Sequence, residues 1–375
     1  LYLTINVNLM IKGIPGLVGS SAMFTSNILR IKRITAPEIQ PDHTAWQFAA
    51  CCLCLLGVFL TGGMRVEESD QSVLAWPEVN SEETVSSRID ETDWLPSVNL
   101  AWIYDEKVNV RAGFYRSVNR PEFREMAPVR RRNFSEFQIE RGNTELTRAV
   151  IKNYDLRFEY FPDYGQVFAV SGFYKSFVDA IEEVRMPLPD TSGSLLSWEN
   201  SPEGKNYGLE FEMRWKLGFW TWFEDFTVLA NYTRVWSEIE FEDNFDPDES
   251  GDPKVKQRPL QGQAPWSVNA GLMYDNPNTG TAVSALFNKV GRRLDKVGNA
   301  IIAYIYLEPR DQLDLVVTQR LKGSWKAKLA VKDLLADDRV TTSGYLDAYG
   351  EGGAPYDFSA AEEGLEMSLS LSTRF

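Results

Sequence analysis

The side chains with the most chemical potential in this sequence are arginines. Arg116, Arg120, Arg124, Arg130, Arg131, Arg132, Arg141 and Arg148 crowd into one stretch. A planar guanidinium grips a phosphate or carboxylate through two parallel N–H bonds. Such a cluster therefore suits an anionic ligand, or the phosphates of lipopolysaccharide. The consecutive Arg130, Arg131 and Arg132 are the candidate ligand-binding residues. Internal pairing competes with that role. Glu122, Glu125, Glu136 and Glu140 lie in the same stretch, and clustered charges are commonly paired or solvated.

Other chemistry finds less material. In the acidic run "EIEFEDNFDPDESGDPK", Asp246-x-Asp248-x-Ser250-Gly251 matches the opening of a calcium loop. The twelfth position, which should hold a bidentate glutamate, is Gln257. The stretch reads better as a solvated loop. His43 is the only histidine, and Cys51, Cys52 and Cys54 sit together near it without a usual zinc spacing. No metal site and no cofactor are expected. No H-E-x-x-H, P-loop or G-x-S-x-G pattern occurs, and no histidine-based triad can be assembled, so the sequence reads as that of a non-enzyme.

The elements that must position the arginines follow a two-residue rhythm. In "SVNLAWIY", Val98, Leu100, Trp102 and Tyr104 share a face; after Asp105-Glu106-Lys107 the chain returns as "VNVRAGFYRS". In "NYDLRFEYF", Tyr154, Leu156, Phe158 and Tyr160 oppose Asp155, Arg157 and Glu159. Similar units at 206–216, 266–290, 311–332 and the C-terminus, with one near 61–72, predict about twelve strands. One face is rich in aromatics and the other carries charges of both signs. A soluble sheet would hide its apolar face, whereas a membrane barrel turns it outward to lipid and keeps a wet lumen. The fold class is therefore all-β, a transmembrane antiparallel β-barrel.

Connection lengths agree. The turns at 105–107, 162–165, 275–280 and 322–324 are short, and 217–224 is little longer. The other connections, 73–93, 118–149, 178–205, 239–264, 291–310 and 335–363, are expected to be long loops. Trp102, Tyr104, Tyr160, Phe161, Trp215, Trp220, Trp222, Tyr274 and Trp325 gather at the short-turn rim as an interfacial girdle. The net charge of −14 argues against a nucleic-acid partner.

Residues 60–375 are assigned to the barrel and 1–59 are left unassigned. The uncharged run Trp46 to Leu60 has fifteen residues, fewer than the ~20 of a spanning helix. It lies too deep in the chain for an ordinary signal peptide. Segment 1–59 is read as a fragment edge or a misread start.

Several motifs together resemble the barrel of TonB-dependent outer-membrane receptors. Arg120, Pro121, Glu122, Phe123, Arg124 and Glu125 are similar to that family's R-P-E-F-R-E motif. "GNTELTRAVIKNYDL" follows, with Gly142, Asn143, Leu146 and Asn153 to Leu156 in place, though Thr144 and Arg148 stand where the family has prolines. "NYGLEFEMRW", "RPLQGQAPWSVNAGLMY" and "KDLLADD" extend the likeness. The resemblance implies a 22-stranded barrel blocked by an N-terminal plug, and energised uptake of a scarce ligand such as a siderophore, vitamin, sugar or peptide. It implies location in the bacterial outer membrane, with its lipid and lipopolysaccharide as neighbours. Phe375 resembles the terminal aromatic that the barrel-assembly machinery recognises. TonB is implied as a partner only when a plug is joined to the chain, because no plug or TonB box is recognised here. The sequence thus resembles the C-terminal half of a receptor, which alone is not expected to transport. A self-contained twelve-stranded porin and a soluble β-rich binding protein are the alternatives.

Overall fold

The computed structural model describes residues 2–7, 57–76, 84–133, 138–187, 194–218, 221–247, 253–299, 302–344, 356–362 and 364–374. Its strands are β1 (Tyr2–Val7), β2 (Val58–Ala75), β3 (Val85–Ile103), β4 (Val108–Asn119), β5 (Arg130–Asn133), β6 (Gln138–Arg141), β7 (Ala149–Tyr160) and β8 (Val167–Val178). They continue with β9 (Ala180–Pro187), β10 (Ser194–Ser201), β11 (Gly204–Lys216), β12 (Phe226–Pro247), β13 (Pro253–Arg258), β14 (Trp266–Asn276) and β15 (Thr281–Val290). The last are β16 (Arg293–Lys296), β17 (Tyr304–Leu307), β18 (Asp311–Arg320), β19 (Trp325–Lys332), β20 (Arg339–Gly344), β21 (Tyr356–Ala361) and β22 (Glu366–Arg374). A single helical turn, α1 (Phe123–Met126), follows β4.

Fourteen strands form one sheet, in the order β1-β22-β19-β18-β15-β14-β12-β11-β8-β7-β4-β3-β2, with β13 attached to β12. Setting aside β1 and β13, twelve strands follow one another up and down, as the hydrophobic rhythm predicts. Segment β1, inside the unassigned N-terminal region, pairs antiparallel with β22.

The two faces are inverted relative to a soluble sheet. Tyr154, Leu156 and Phe158 are exposed, Leu156 at 59%. Flanking them, on the opposite face, Asn153 and Glu159 are buried. Glu159 is held there by Arg111 Nε at 3.0 Å and Arg157 Nε at 2.8 Å, and Arg157 reaches on to Glu212 at 2.6 Å. The inner face is thus a ladder of compensated charges, as a polar lumen requires. On β22, Met367, Leu369 and Leu371 are exposed as expected, while Phe375 lies outside the described residues.

The short turns stand where the sequence puts them, with aromatics beside them. Trp102 meets Tyr104 edge-on at 5.5 Å, Phe168 meets Trp215 at 5.2 Å, and Phe226 meets Tyr274 at 5.0 Å. Trp222 is 90% exposed in its turn, whereas Trp220 lies outside the described residues.

The long connections differ from expectation. The expected loop at 73–93 is mostly strand, because β2 and β3 stay paired from Val58↔Trp102 up to Ala75↔Val85. Above the lipid one face of this hairpin meets water and the other, with Ser87, Ile89 and Asp93, is buried against neighbouring segments partly through polar contacts. Its sequence therefore loses the apolar alternation that marks strands. Ion pairs such as Arg88 Nε to Asp70 at 2.9 Å replace it. The connection at 239–264 is likewise largely a hairpin, β12 with β13, whereas those at 118–149, 178–205, 291–310 and 335–363 build two four-stranded sheets, β5-β6-β10-β9 and β16-β17-β20-β21. A parallel bridge between Val184 and Val297 joins them, with the Arg185 N–H donating to Val297 O at 2.8 Å. Val184, Leu294, Val297, Tyr304 and Tyr306 pack beneath that joint. A conventional apolar core therefore sits in the long-loop region, while the wall has its apolar side outside.

Candidate ligand-facing site at the long-loop rim

The R-P-E-F-R-E stretch forms a compact corner where β4 leaves the wall. Arg120 spans two strands, with Nη1 on Glu67 at 2.8 Å and Nη2 on Asp93 at 2.6 Å. Asp93, whose side chain is fully buried, takes a second arginine, Arg148 Nε, at 2.6 Å. Arg148 also reaches Glu91 at 3.2 Å. Pro121 is buried, and its carbonyl accepts the Gln71 side-chain amide at 3.3 Å. The Glu125 carboxylate accepts the Glu122 N–H at 2.9 Å and so caps α1. Burial pushes the Glu125 carboxyl upward, and the nearby Glu122 charge adds to this.

The second motif closes the corner. The Gly142 N–H donates to Ala127 O at 3.0 Å and the Asn143 N–H to Glu125 O at 2.6 Å. The Asn143 side chain then donates to Trp198 O at 3.0 Å, which ties the corner to β10. Arg124 lies 5.3 Å from the Trp198 ring centroid, within cation–π range. Two motifs that look independent in sequence are one structural unit.

Behind this corner a buried ion pair anchors β9. Arg258 and Glu182 meet through two bonds, Nη2–Oε2 at 2.6 Å and Nη1–Oε1 at 3.0 Å. Glu182 also accepts the Ser201 hydroxyl, and the Gln261 N–H at 2.7 Å. A cavity of about 460 Å³ opens between these units, lined by Arg120, Glu122, Glu125, Glu183, Trp198 and Asp295 among others. Its polar, mainly acidic lining offers hydrogen bonds and charge to a hydrophilic molecule. Among the described residues no group of carboxylates, cysteines and histidines is arranged to hold a metal ion.

The three candidate arginines do not act alike. On β5, Arg131 pairs with Glu140 across the strand, while Arg130 stands opposite Arg141 and Arg132 opposite Ile139. Arg130 and Arg132 are exposed, and neither has an ion-pair partner among the described residues. The structure therefore divides the cluster. Arg120, Arg131 and Arg148 are tied internally, and Arg130 and Arg132 are presented outward. Sequence reasoning placed the neutralising carboxylates nearby; most come from β2 and β3 instead. The calcium-like loop and the cysteine patch lie outside the described side chains.

One further feature escaped the sequence. Across five strands the register aligns Phe114, Tyr154, Tyr174, Tyr207 and Trp236 in a single outward row. Adjacent rings lie 5.0, 6.1 and 5.6 Å apart at Phe114–Tyr154, Tyr154–Tyr174 and Tyr207–Trp236. This is a second aromatic girdle toward the long-loop side, visible only once the strands are aligned.

Removing the charge of Asp93 tests the corner. Asp93→Ala is expected to cost about 2 kcal/mol, the loss of buried charge-assisted hydrogen bonds partly offset by Glu67 and Glu91. It should appear as a lower temperature for loss of the compact, heat-modifiable band in detergent. An unchanged transition would show that the two arginines do not depend on it.

Comparison with known proteins agrees with this architecture. The family model described as TonB dependent receptor-like, beta-barrel, matches residues 56–334. Among solved structures, a mutant ferric enterobactin receptor of Pseudomonas aeruginosa in complex with enterobactin is 18% identical with a TM-score of 0.49, covering 84% of this chain and 43% of that one. The FrpB iron transporter of Neisseria meningitidis is 14% identical with a TM-score of 0.49, covering 85% and 42%. The siderophore receptor PirA of P. aeruginosa is 15% identical with a TM-score of 0.46, covering 84% and 48%. The chain thus spans less than half the length of these structures, and no curated protein matches it. With an inverted twelve-stranded wall, short turns on one rim, structured loops on the other and a family match over most of its length, the chain belongs to the β-barrel of the TonB-dependent receptors.

Proposed function

We propose that this chain is the barrel part of an outer-membrane receptor that imports a scarce nutrient of the siderophore, vitamin, sugar or peptide type. The family is one of receptors and transporters, not of enzymes, and its barrels lie in the outer membrane. The observation that carries the reading is the pairing of an inverted wall with long loops that fold around their own core. A wall alone needs no ordered superstructure; a receptor needs fixed groups where its ligand arrives. Arg130 and Arg132, exposed on β5, make the first contact with an anionic ligand. TonB engages the receptor through a plug joined to this barrel. The wall meets lipid and lipopolysaccharide, and Phe375 addresses the barrel-assembly machinery.

Strand order gives no support to a self-contained twelve-stranded porin, because β2 and β1 end the sheet without pairing to each other among the described residues. The test is ligand binding by a full-length receptor carrying this barrel. Arg130→Gln with Arg132→Gln should weaken an anionic ligand about tenfold or more, the scale of two solvent-screened charged contacts. Arg131→Gln should matter less, since Arg131 is already committed to Glu140. Unchanged affinity in the double variant would sink the assignment.

A further inference from the structure

The lipid-facing side of the wall carries a pair of cations that the receptor function leaves unexplained. On β4 the outward face runs Val110, Ala112, Phe114, Arg116; on β7 it runs Phe158, Leu156, Tyr154, Lys152. Arg116 therefore stands directly opposite Lys152. Like charges placed opposite each other across a strand pair repel.

The inner face of the same two strands shows how the fold handles that problem. Arg111 stands opposite Arg157 there, and the Glu159 carboxylate accepts from both, at 3.0 and 2.8 Å. On the outer face no carboxylate pairs with Arg116 or Lys152 among the described residues, and Arg116 Nε has no hydrogen-bond partner. The inner pair has its anion built in; the outer pair lacks one.

Height identifies what faces this pair. From Val108, at the short-turn end, to Arg116, β4 rises about 27 Å at about 3.4 Å per residue. At a tilt near 40° that is about 21 Å along the membrane normal, close to the ~25 Å apolar band of such barrels. Immediately below the pair lie Phe114, Tyr154 and Tyr174 of the second girdle. In register, the row of the pair continues through Ser176 to Lys205, whose ammonium pairs with Glu238 at 3.1 Å. Arg234 lies two residues nearer the short-turn end than Trp236 of the girdle row. It shares the outward face with Tyr232 and Trp236, with its guanidinium 5.5 Å from the Trp236 centroid. Above the girdle the outward row thus carries Arg116, Lys152 and Lys205, of which Lys205 has its own carboxylate, Glu238.

We propose that Arg116 and Lys152 together bind the phosphate of an outer-leaflet lipid headgroup, with Phe114, Tyr154 and Tyr174 forming the shelf beneath it. A guanidinium supplies two parallel N–H donors and the ammonium a third, which suits a phosphate monoester. The inference rests on reading the wall as a membrane barrel.

The test uses the full chain extracted from membranes into a neutral detergent and followed by native mass spectrometry. It is titrated with diphosphorylated lipid A, with dephosphorylated lipid A, and with inorganic phosphate. The unaltered chain should prefer the phosphorylated lipid at least about tenfold. Arg116→Gln with Lys152→Gln should abolish that preference, and the swap Arg116→Lys with Lys152→Arg should keep it. Should the double variant not fold, Lys152→Gln alone, at an exposed position, should reduce the preference severalfold. Undiminished preference in the neutralised variants would overturn the proposal. So would displacement of the lipid by equimolar inorganic phosphate, which would mark a site for free anions. A chain absent from the membrane fraction would overturn the barrel reading and the lipid site with it.

Discussion

Gly142→Ala is expected to unlock the long-loop rim while leaving the wall in place. A Cβ at this position would meet Ala127 O at 2.3 Å, Ala127 N at 2.7 Å and Arg124 O at 2.7 Å. All three are backbone atoms, so no side chain can rotate away. Relief requires the Gly142–Asn143 segment to lift off the corner that follows β4. That lift breaks the bonds from Gly142 to Ala127 O and from Asn143 to Glu125 O, and weakens the tie from Asn143 to Trp198 O. Overpacking of ~1–3 kcal/mol and two or three hydrogen bonds near 1 kcal/mol each add to about 4 kcal/mol. Limited proteolysis of outer membranes should cut the 120–148 region of the variant and spare the wall. Gly218→Ala is the control, since a Cβ there meets nothing within 4 Å. Equal protease resistance in both variants would refute the account of this corner.

The second large effect is at Arg258. Its side chain is 5% exposed and that of its partner Glu182 only 2%. Deleting one member of a buried pair leaves an uncompensated charge and costs about 3–5 kcal/mol. Arg258→Ala should therefore loosen β9 together with the Ser201 and Gln261 contacts that meet on Glu182. The pH dependence gives a sharper signature. Burial alone would raise the Glu182 carboxyl, but the hydrogen bond and charge of Arg258, with help from Ser201 and the Gln261 N–H, hold it below its ordinary value. A depressed folded pKa gives stability that is present above the unfolded value, near 4.3, and lost as pH falls through the folded one. The unaltered rim should thus weaken only in acid below the usual carboxylate range. In Arg258→Ala burial dominates, so the sign reverses and mild acidification should strengthen the rim. Hydrogen exchange of the loop amides across pH would read this. The same acid profile in both proteins would contradict the role given to Arg258.

What the sequence made legible follows from where the solvent changes. Tyr154, Leu156 and Phe158 alternate with Asp155, Arg157 and Glu159 because one side meets lipid and the other a polar interior. That contrast is written into every wall strand, so strand number and turn positions were readable. Beyond the membrane both faces see water or another loop, and the contrast vanishes. The upper parts of β2 and β3 were therefore expected as loop, and β9 and β10 went unseen. Their pairings, such as the parallel Leu195↔Ile139, join segments far apart in the chain. The arginine cluster is plain in the sequence, but the partners that hold much of it are not. Asp93, Glu67 and Glu91 lie on the first hairpin, and only Arg131–Glu140 is local. The second girdle was hidden for the same reason, since it exists only in the register of five strands.

The central claim is that this sheet turns its apolar face to lipid. Spin labels along β7 test it most directly, after serine replaces Cys51, Cys52 and Cys54. Labels at Tyr154→Cys, Leu156→Cys and Phe158→Cys should be reached by membrane-dissolved oxygen and shielded from a water-soluble nickel chelate. A label at Asp155→Cys should show the opposite preference. A period of two between the reagents, in phase with these residues, is the predicted result. Labels at 154, 156 and 158 shielded from both reagents, with 155 open to the chelate, would mean that the apolar face packs inside a soluble protein and would contradict the account.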